Sequence, residues 1–275
     1  MSKTILQGLI GAWCPTLGPS GYTLLDRSGR GNHGTLANMD AGSDWVGSPG
    51  GWALDFDGSN DRVTTLLSEP FNFTTATSKF TVAQWAYRRT NATPASRVAI
   101  AKGTGASAAG GYLVDLGSDG NGTDATKGYA IVYYGSTRWT GRNFSITDNE
   151  WFHLAVVVDM SLSGSARVAT YIDGVSTGTG FEQNPLTSIF TNSNAITIGN
   201  ATTNNLPFNG LLDDVAIWNR ALTAPEVWQL YQSGRGGLGR LLTPQRRSYA
   251  FKVPAAAVKS YLFVNRGQVI GGGTL

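Results

Sequence analysis

The sequence predicts an all-β fold: a two-sheet antiparallel jelly-roll sandwich with one short C-terminal helix and a basic C-terminal extension. Strand-like apolar runs recur between turn residues, as in FTVAQWAYRR (80–89) and WFHLAVVVD (151–159). There are 36 glycines, and charged residues make up only 14% of the chain, well below the usual ~25%. Only one segment, LTAPEVWQLYQSG (222–234), carries strong helix signals.

Individual strands follow from alternation and from runs that are apolar on both faces. Runs of the second kind, such as AVVVD, favour a sheet covered by a second sheet. The other predicted strands lie in WALDFDG (52–58), RVTTLL (62–67), RVAIAKG (97–103), GYLVDLG (111–117), GYAIVYYG (128–135), RVATYIDGV (167–175), AITIGN (195–200) and LLDDVAIWNR (211–220).

The helix begins with Thr223 as N-cap, Pro225 in the first turn and Glu226 at N3, and Gly234 is suited to its C-terminal end. We therefore place a domain boundary there, with a jelly roll in residues 1–234 and an extension in 235–275. The extension contains two strand-like runs, SYAFKV and SYLFVNRGQVI, and is too short to form much of a core alone.

Charge is distributed unevenly. Residues 1–234 hold 14 Lys/Arg and 18 Asp/Glu, whereas residues 235–275 hold seven bases and no acid. This asymmetry indicates a separate role for the extension. Cys14 is the only cysteine, so an intrachain disulfide framework is excluded. No apolar run is long enough to span a membrane, and the N-terminal segment lacks signal-peptide features, which predicts synthesis in the cytosol without Sec export.

Two groups of acids raise a question of chemistry. Asp213 and Asp214 lie inside the apolar strand GLLDDVAIW, where alternation puts Leu211 with Val215 and Ile217 on one face and turns the two carboxylates to opposite faces. Asp26 opens the loop DRSGRGNHG, which is rich in carbonyl and amide oxygens. Such a loop beside a strand carboxylate suits Ca²⁺, but Asp26 could equally cap a turn through backbone amides.

The chain resembles the laminin-G-like branch of the concanavalin A-like lectin/glucanase superfamily. The resemblance covers roughly residues 8–233 and is carried by motifs that occur in the family's order. They are GLIGAW (8–13), D-x-S-G-x-G-N-x-G (26–34), ALDFDGSNDRV (53–63), W-x-H-L-A-V-V-V-D (151–159), YIDG (171–174), ITIGN (196–200) and GLLDDVAIWNRALTAPEVWQLY (210–231).

The resemblance implies paired N- and C-terminal strands and a structural Ca²⁺ where the D-x-S-G loop meets the strand of the G-x-x-D motif. Its ligands would be Asp26 and Asp213, helped by Asn32 and by carbonyl groups around Gly31 and His33.

Catalysis is not expected. Glycoside hydrolysis needs two carboxyl groups at a fixed separation, which glucanases of this superfamily carry as E-x-D-x-x-E. None of the four glutamates here is followed by an acid two or five residues later, as that motif requires. The two histidines, His33 and His153, lack partners at metal-ligand spacing and are interpreted as structural.

Sugar binding remains open. Lectins stack sugar rings on exposed aromatic side chains and add polar contacts. Around the segment GSTRWTGRN, the candidates are Tyr112, Arg138, Trp139 and Arg142, together with Tyr133 and Tyr134. The alternative is that these aromatic residues belong to the core.

Two functions remain. The first is a non-catalytic structural protein on a phage particle, such as a capsid decoration, head-fibre or tail component. It would be oligomeric and located at the virion surface, with surface glycans as candidate ligands. The second is a secreted or surface glycan-binding module without an assembly role. The extension would contact other virion proteins, and neither a membrane nor nucleic acid is predicted as a partner. The residues assigned to these contacts are Arg246, Arg247, Tyr249, Phe251, Tyr261 and Phe263.

Overall fold

A computed structural model shows two compact units, Met1–Thr243 and Pro244–Leu275. It describes residues 5–48, 50–66, 69–73, 75–90, 95, 97–103, 111–134, 138–183, 193–201, 206–242, 264–265 and 268–269. Among these, the side chains are not described for residues 17, 134, 138, 139, 183, 240, 241, 264, 265, 268 and 269. Of the second unit, the described part is one antiparallel pair. Its strands are β18 (Val264–Asn265) and β19 (Gln268–Val269).

The first unit is the predicted sandwich of two antiparallel sheets. In its described residues, sheet I has the order β14-β13-β12-β7-β17-β5-β4, and β1 also pairs with β17. Its strands are β1 (Leu9–Trp13), β4 (Trp45–Ser48), β5 (Gly51–Asp57), β7 (Lys79–Arg88), β12 (Trp151–Asp159), β13 (Val168–Ile172), β14 (Val175–Thr177) and β17 (Asn209–Trp218). The pairing of β1 with β17 confirms the expected contact between the first and last strands of the domain.

Sheet II has the order β15-β11-β10-β9-β8-β16-β6-β3-β2 in the described residues. Its strands are β2 (Thr23–Leu24), β3 (Gly34–Ala37), β6 (Arg62–Thr65), β8 (Val98–Lys102), β9 (Gly111–Asp115), β10 (Lys127–Tyr134), β11 (Arg138–Ser145), β15 (Thr179–Gln183) and β16 (Ile196–Ile198). Strand β11 contains the segment that the sequence had suggested only as a source of ligand-binding residues.

The main core lies between the sheets, where inward residues of both interdigitate. Phe80, Val156 and Leu212 from sheet I meet Val114 and Val132 from sheet II in one buried cluster. A second cluster lies on the outer face of sheet I, under helix α1 (Ala224–Gln232) and a short helix α2 (Gly237–Leu242) that the sequence did not predict. In the described part of the chain, neither helix is long and apolar enough to cross a membrane.

Strand β17 contains a β-bulge at its two acids. Its register against β7 shifts between Asp213 and Ala216, and Asp214 has a φ of 48°. The inserted residue inverts the alternation, so that Leu212, rather than Leu211, shares the core face with Val215 and Ile217. The face assignment made from the sequence is therefore wrong before the bulge, and Asp213 and Asp214 do not point to opposite faces.

Helix α2 covers the bulge from outside. The Asp214 carboxylate accepts the backbone N–H groups of Leu238 at 3.1 Å and Gly239 at 3.3 Å. Leu238 is buried with Cys14, and a Cβ on Gly239 would lie 3.0 Å from that of Cys14. The compact unit thus extends beyond residue 234, where the sequence analysis had placed the boundary.

Candidate functional site

The outer face of sheet II carries the aromatic residues that the sequence analysis sought. Cross-strand partners share a face, so Asp115, Tyr129, Asn143 and Thr179 form one outward row across β9, β10, β11 and β15. The next row contains Leu113, Ile131, Gly141 and Phe181. Tyr129, Tyr133 and Phe181 are only half-buried and pack against the outer apolar cluster of this sheet.

An open polar pocket of about 410 Å³ adjoins these rows where β10 begins and β11 ends. This volume lies within the range of small-ligand pockets, about 300–1,000 Å³. Its described lining combines one cation, one amide and three hydroxyls, and the ring of its Phe144 packs in the main core. The lining residues are Lys127, Asn143, Phe144, Ser145, Thr177, Gly178 and Thr179.

The lining of the pocket is held in place by local hydrogen bonds. The Asn143 side-chain oxygen accepts the Gly120 N–H at 3.0 Å, and this leaves its amide nitrogen as a donor. The Lys127 ammonium lies 3.0 Å from Asp124. Gly178, with a φ of 93°, passes so close to Asn143 that a Cβ would approach its carbonyl oxygen to 2.2 Å. The chain can cross from β14 to β15 at this point only with glycine.

Arg142 is the one predicted ligand residue whose described side chain adjoins the pocket. It is half-buried, and its Nε donates to the carbonyl oxygen of Thr177 at 2.9 Å. The backbone of Arg138 and Trp139 lies in β11, opposite Tyr134 and Tyr133, but their side chains are outside the described part.

Tyr112 is not a ligand residue of the outer face, contrary to the sequence prediction. It is 4% exposed and lies in the core, with its ring 4.6 Å from that of Phe80. Burial raises the pKa of its hydroxyl. Both faces of β9 are apolar, so alternation could not show which one looks outward, and Tyr112 takes the inner position opposite Val132.

Tyr133 takes the outer position that Tyr112 lacks. A side-chain hydrogen bond links it to Tyr129, and burial together with the charge of Asp115 raises its pKa. Lys127, Asn143 and Thr179 were not among the residues predicted from the sequence. The only sequence signal for them is that they alternate with inward residues, in the strand of the outward tyrosines or in nearby strands of the same sheet. That signal can be interpreted only when the strand register is known.

The proposed calcium ligands are a separate matter. Asp26 is buried, and four donors surround its two carboxylate oxygens. They are the N–H groups of Ala12 at 2.9 Å, Ser28 at 2.8 Å and Asn32 at 2.9 Å, and the Ser28 hydroxyl at 2.9 Å. The donor set is that of a turn cap, and a cation would have to displace it. Asp26 therefore does not fit a calcium ligand.

Asn32 and Asp213 each retain one buried side-chain oxygen without a described partner. The Asn32 amide donates to the carbonyl oxygen of Ile10 at 3.1 Å, whereas Asp213 lies at the bulge under α2, beside Arg235. Within the described residues, no three His, Cys, Asp or Glu side chains are placed to hold a metal ion. Calcium binding thus stays a sequence-based prediction, and the hydrogen bonds of Asp26 argue against it.

Both histidines lie in structural positions. His33 Nδ1 accepts the backbone N–H of Asp26 at 3.0 Å. His153 is 3% exposed beside Trp85, and burial lowers its pKa to about 3, so it is neutral at physiological pH.

Comparison with protein families gives the chain's affiliation. A laminin-G-type model, described as the concanavalin A-like lectin/glucanases superfamily, matches residues 57–228, which is more than half of the chain. The chain belongs to this superfamily. No curated protein matches the chain.

Solved structures of the superfamily fold show which architectures this member resembles. The binding domain of Paraclostridial mosquitocidal protein 1 is 18% identical, with a TM-score of 0.64 over 83% of this chain and 53% of that one. The binding domain of botulinum neurotoxin DC, in complex with SialylT, is 14% identical, with a TM-score of 0.60 over 83% and 52%. This chain thus spans about half the length of these toxin domains.

A third structure is similar over almost its whole length. Domain 4 of a GH43 extracellular arabinanase from Geobacillus stearothermophilus, in complex with arabinotriose, is 22% identical, with a TM-score of 0.58 over 82% of this chain and 98% of that one. At these identities the likeness establishes a shared lectin-like fold.

Proposed function

We propose that the body of this protein is a non-catalytic glycan-binding module whose ligand occupies the polar pocket on sheet II. The observation that carries the proposal is the lining itself. Hydroxyl groups, an amide and an ammonium group line a space of about 410 Å³, and the half-buried rings of Tyr129 and Phe181 lie on the same outer face of the sheet. Such a combination recognises the hydroxyls and apolar faces of a sugar. Two of the similar structures are complexes, one with SialylT and one with arabinotriose, which agrees with this ligand class.

The same lining argues for binding without hydrolysis. None of the described residues that line the pocket carries a carboxyl group. Glycoside hydrolysis ordinarily requires two carboxyl groups on either side of the scissile bond. A glycan held in this pocket would therefore be released unchanged.

The test is a binding measurement with a matched pair of lysine variants. A panel of oligosaccharides that includes arabinotriose and sialyllactose is screened, and the best ligand is titrated by calorimetry against Lys127→Ala, Thr179→Ala and Lys79→Ala. Lys79 is the control because, like Lys127, it is partly exposed and paired with an aspartate, but it lies in sheet I.

We expect Lys127→Ala and Thr179→Ala to weaken binding about fivefold or more, since each removes a hydrogen bond worth roughly 1 kcal/mol, while Lys79→Ala leaves it unchanged. A panel without any ligand would overturn the proposed function. Equal effects of the two lysine variants would move the ligand away from this pocket.

We also propose that residues 244–275 attach the protein to a phage particle, where the body is displayed at the virion surface. Two observations support an assembly role: this segment is a separate compact unit, and it carries five bases and no acid. Long-range attraction to an acidic partner would favour its docking. Its suggested contact residues Arg246, Arg247, Tyr249, Phe251, Tyr261 and Phe263 lie outside the described residues.

Deletion of residues 244–275 tests the assembly role. The truncated chain should remain folded and keep its glycan binding but should lose its oligomers, measured by light scattering, and its incorporation into particles. Normal assembly of the truncated chain would leave the glycan-binding module as the whole function.

A further inference from the structure

A second, smaller pocket lies at one end of the sandwich and is lined by three arginines. Its volume is about 30 Å³, and its described lining consists of Arg88, Arg89, Thr90, Arg97 and Asn209. This volume holds about two water-sized groups, which is the size of the two oxygens of a carboxylate.

Two of the three arginines are already paired. Arg88 is 2% exposed, forms an ion pair with Asp148 and donates to the carbonyl oxygen of Leu116 at 2.7 Å. Arg89 holds both oxygens of Asp55, at 2.8 and 2.7 Å. These contacts hold the two guanidinium groups in place at the edge of the pocket, and the two aspartates neutralise their charges.

The third arginine has no such partner. Arg97 is half-buried, and its guanidinium group has no hydrogen bond or ion pair within the described residues. Its described polar contacts are those of its backbone, whose N–H donates to Asp115 and whose carbonyl oxygen accepts the Leu116 N–H at 2.8 Å. The neighbouring segment 91–96, NATPAS, contains no acid that could pair with it. A half-buried cation that lacks a counter-charge is destabilised by lost hydration, and an anion would relieve this.

The neutral groups of the pocket are also oriented for an anion. The Asn209 oxygen accepts from Arg89 at 3.2 Å, which leaves its amide nitrogen as a donor. The Thr90 hydroxyl oxygen accepts from Asn149 at 2.8 Å, which leaves its O–H proton free to donate. Arg97, Asn209 and Thr90 therefore offer donors to whatever enters.

The geometry points to an oxyanion site, and we propose that it binds the acidic group of a glycan. This inference rests on the proposed glycan-binding function and names its ligand class as acidic. The site is linked to the polar pocket through Lys127, which lines that pocket and whose carbonyl oxygen accepts from Arg88 at 3.3 Å. A planar guanidinium fork matches the two oxygens of a carboxylate or sulfate and gives the strong, charge-assisted form of hydrogen bond.

The experiment compares ligands that differ by one acidic sugar. Sialyllactose, lactose and inorganic sulfate are titrated against the full-length protein and against Arg97→Gln, Arg97→Lys and Arg62→Gln. Arg62 is the control, because it is equally half-buried and lies on β6, outside the described lining of the pocket. Melting curves of all variants establish that they are folded.

We expect sialyllactose to bind at least tenfold more tightly than lactose, and this preference to weaken as salt screens the charge. Arg97→Gln should abolish the preference, Arg97→Lys should retain part of it, and Arg62→Gln should leave it intact.

The outcomes separate this inference from the proposed function. Lactose and sialyllactose binding equally, or Arg97→Gln keeping the preference, would overturn the acidic-group site while leaving a glycan-binding module. Sulfate binding that is lost in Arg97→Gln, with neither sugar bound, would sustain the oxyanion pocket but overturn its glycan ligand. Failure of all three probes would overturn the oxyanion site, and the proposed function would fall only if the whole oligosaccharide panel also failed.

Discussion

At the residue scale, Asp213 is a carboxyl group kept away from water. It is fully buried at the bulge of β17, where one oxygen accepts the N–H of Asp214 at 2.8 Å and the other has no described partner. Burial and the neighbouring Asp214 raise its pKa to about 8, although Arg235 acts in the opposite direction. Asp213 is therefore largely protonated at neutral pH.

This shift makes the stability of the protein depend on pH. The unfolded chain releases the Asp213 proton near pH 4, whereas the folded chain holds it to about pH 8. Unfolding thus releases a proton between these values, and the contribution of Asp213 to the free energy of unfolding falls as pH rises. Asp213→Asn, which mimics the neutral acid, should melt several degrees higher than the wild type at pH 8 and nearly equally at pH 4.

A matched control is Asp40→Asn, since Asp40 is exposed. Its melting curve should follow that of the wild type at both pH values. If Asp213→Asn melted lower than the wild type at pH 8, the carboxyl group would be ionised in the folded state and the argument from burial would be wrong.

Asp26 is also buried but is surrounded by hydrogen-bond donors, which a calcium ion would have to displace. The predicted calcium site can therefore be tested by measuring stability with and without Ca²⁺. Because its oxygens are engaged by backbone N–H groups and a hydroxyl, we expect the same melting temperature in millimolar Ca²⁺ and in EDTA. Asp26→Ala should lose roughly 2–4 kcal/mol in both media, since several buried donors lose their acceptor. If calcium raised the melting temperature of the wild type but not that of Asp26→Ala, Asp26 would be a calcium ligand after all.

At the element scale, a small network of hydrogen bonds and one ion pair stabilises the start of α1. Glu226 accepts the Thr223 N–H at 2.9 Å and pairs with both terminal nitrogens of Arg220, at 2.9 and 2.7 Å. The hydrogen bonds from Arg220 lower the pKa of Glu226 to about 2. This contribution to stability is present above about pH 4.5 and is lost as pH falls through about 2.

Glu226→Ala removes the network and should destabilise the folded protein by about 1–2 kcal/mol at pH 7, since it removes a helix cap and a two-pronged ion pair. The comparison is Glu150→Ala, an exposed glutamate in a turn, which should be nearly neutral. Chemical denaturation at pH 7 and pH 2.5 measures both, and the difference between the variants should shrink at the lower pH. Equal destabilisation by both variants would contradict a specific role for the network.

How far sequence reasoning reaches differs from element to element. Strand β12 and the start of α1 were predictable, because nine apolar-rich residues and a capping box leave few alternatives. RVATYIDGV read as one strand but is the hairpin β13–β14, turned by Asp173 and Gly174 with positive φ. The polar pocket was not predictable, since it requires the registers of β10, β11 and β15, which pair residues distant in sequence.

At the scale of the whole molecule, helix α2 ties the end of the first unit to its outer face. Deletion after Gly234 would remove Leu238 from the outer core and two N–H donors from the buried Asp214. We expect this to cost roughly 3–5 kcal/mol. Deletion after Thr243 keeps α2 and should leave the melting temperature close to that of the full chain.

The two truncations form a matched pair, because both lack the basic C-terminal unit. Scanning calorimetry should show a transition roughly 10 °C lower for the chain that ends at Gly234. Equal transitions would mean that α2 adds nothing to the fold. A low transition in both would mean that residues 244–275 contribute to the stability of the body.

The position of the only cysteine makes the detachment of α2 measurable by thiol labelling. Cys14 is 3% exposed beneath Gly239, and its thiol donates to Asp214, so that burial and the adjacent carboxylates raise its pKa. Alkylation of the native protein by a maleimide dye therefore requires an opening that uncovers Cys14, such as the lifting of α2. The labelling rate of the natural sequence, with no cysteine added or removed, thus measures how often α2, the segment that leads into the C-terminal unit, detaches.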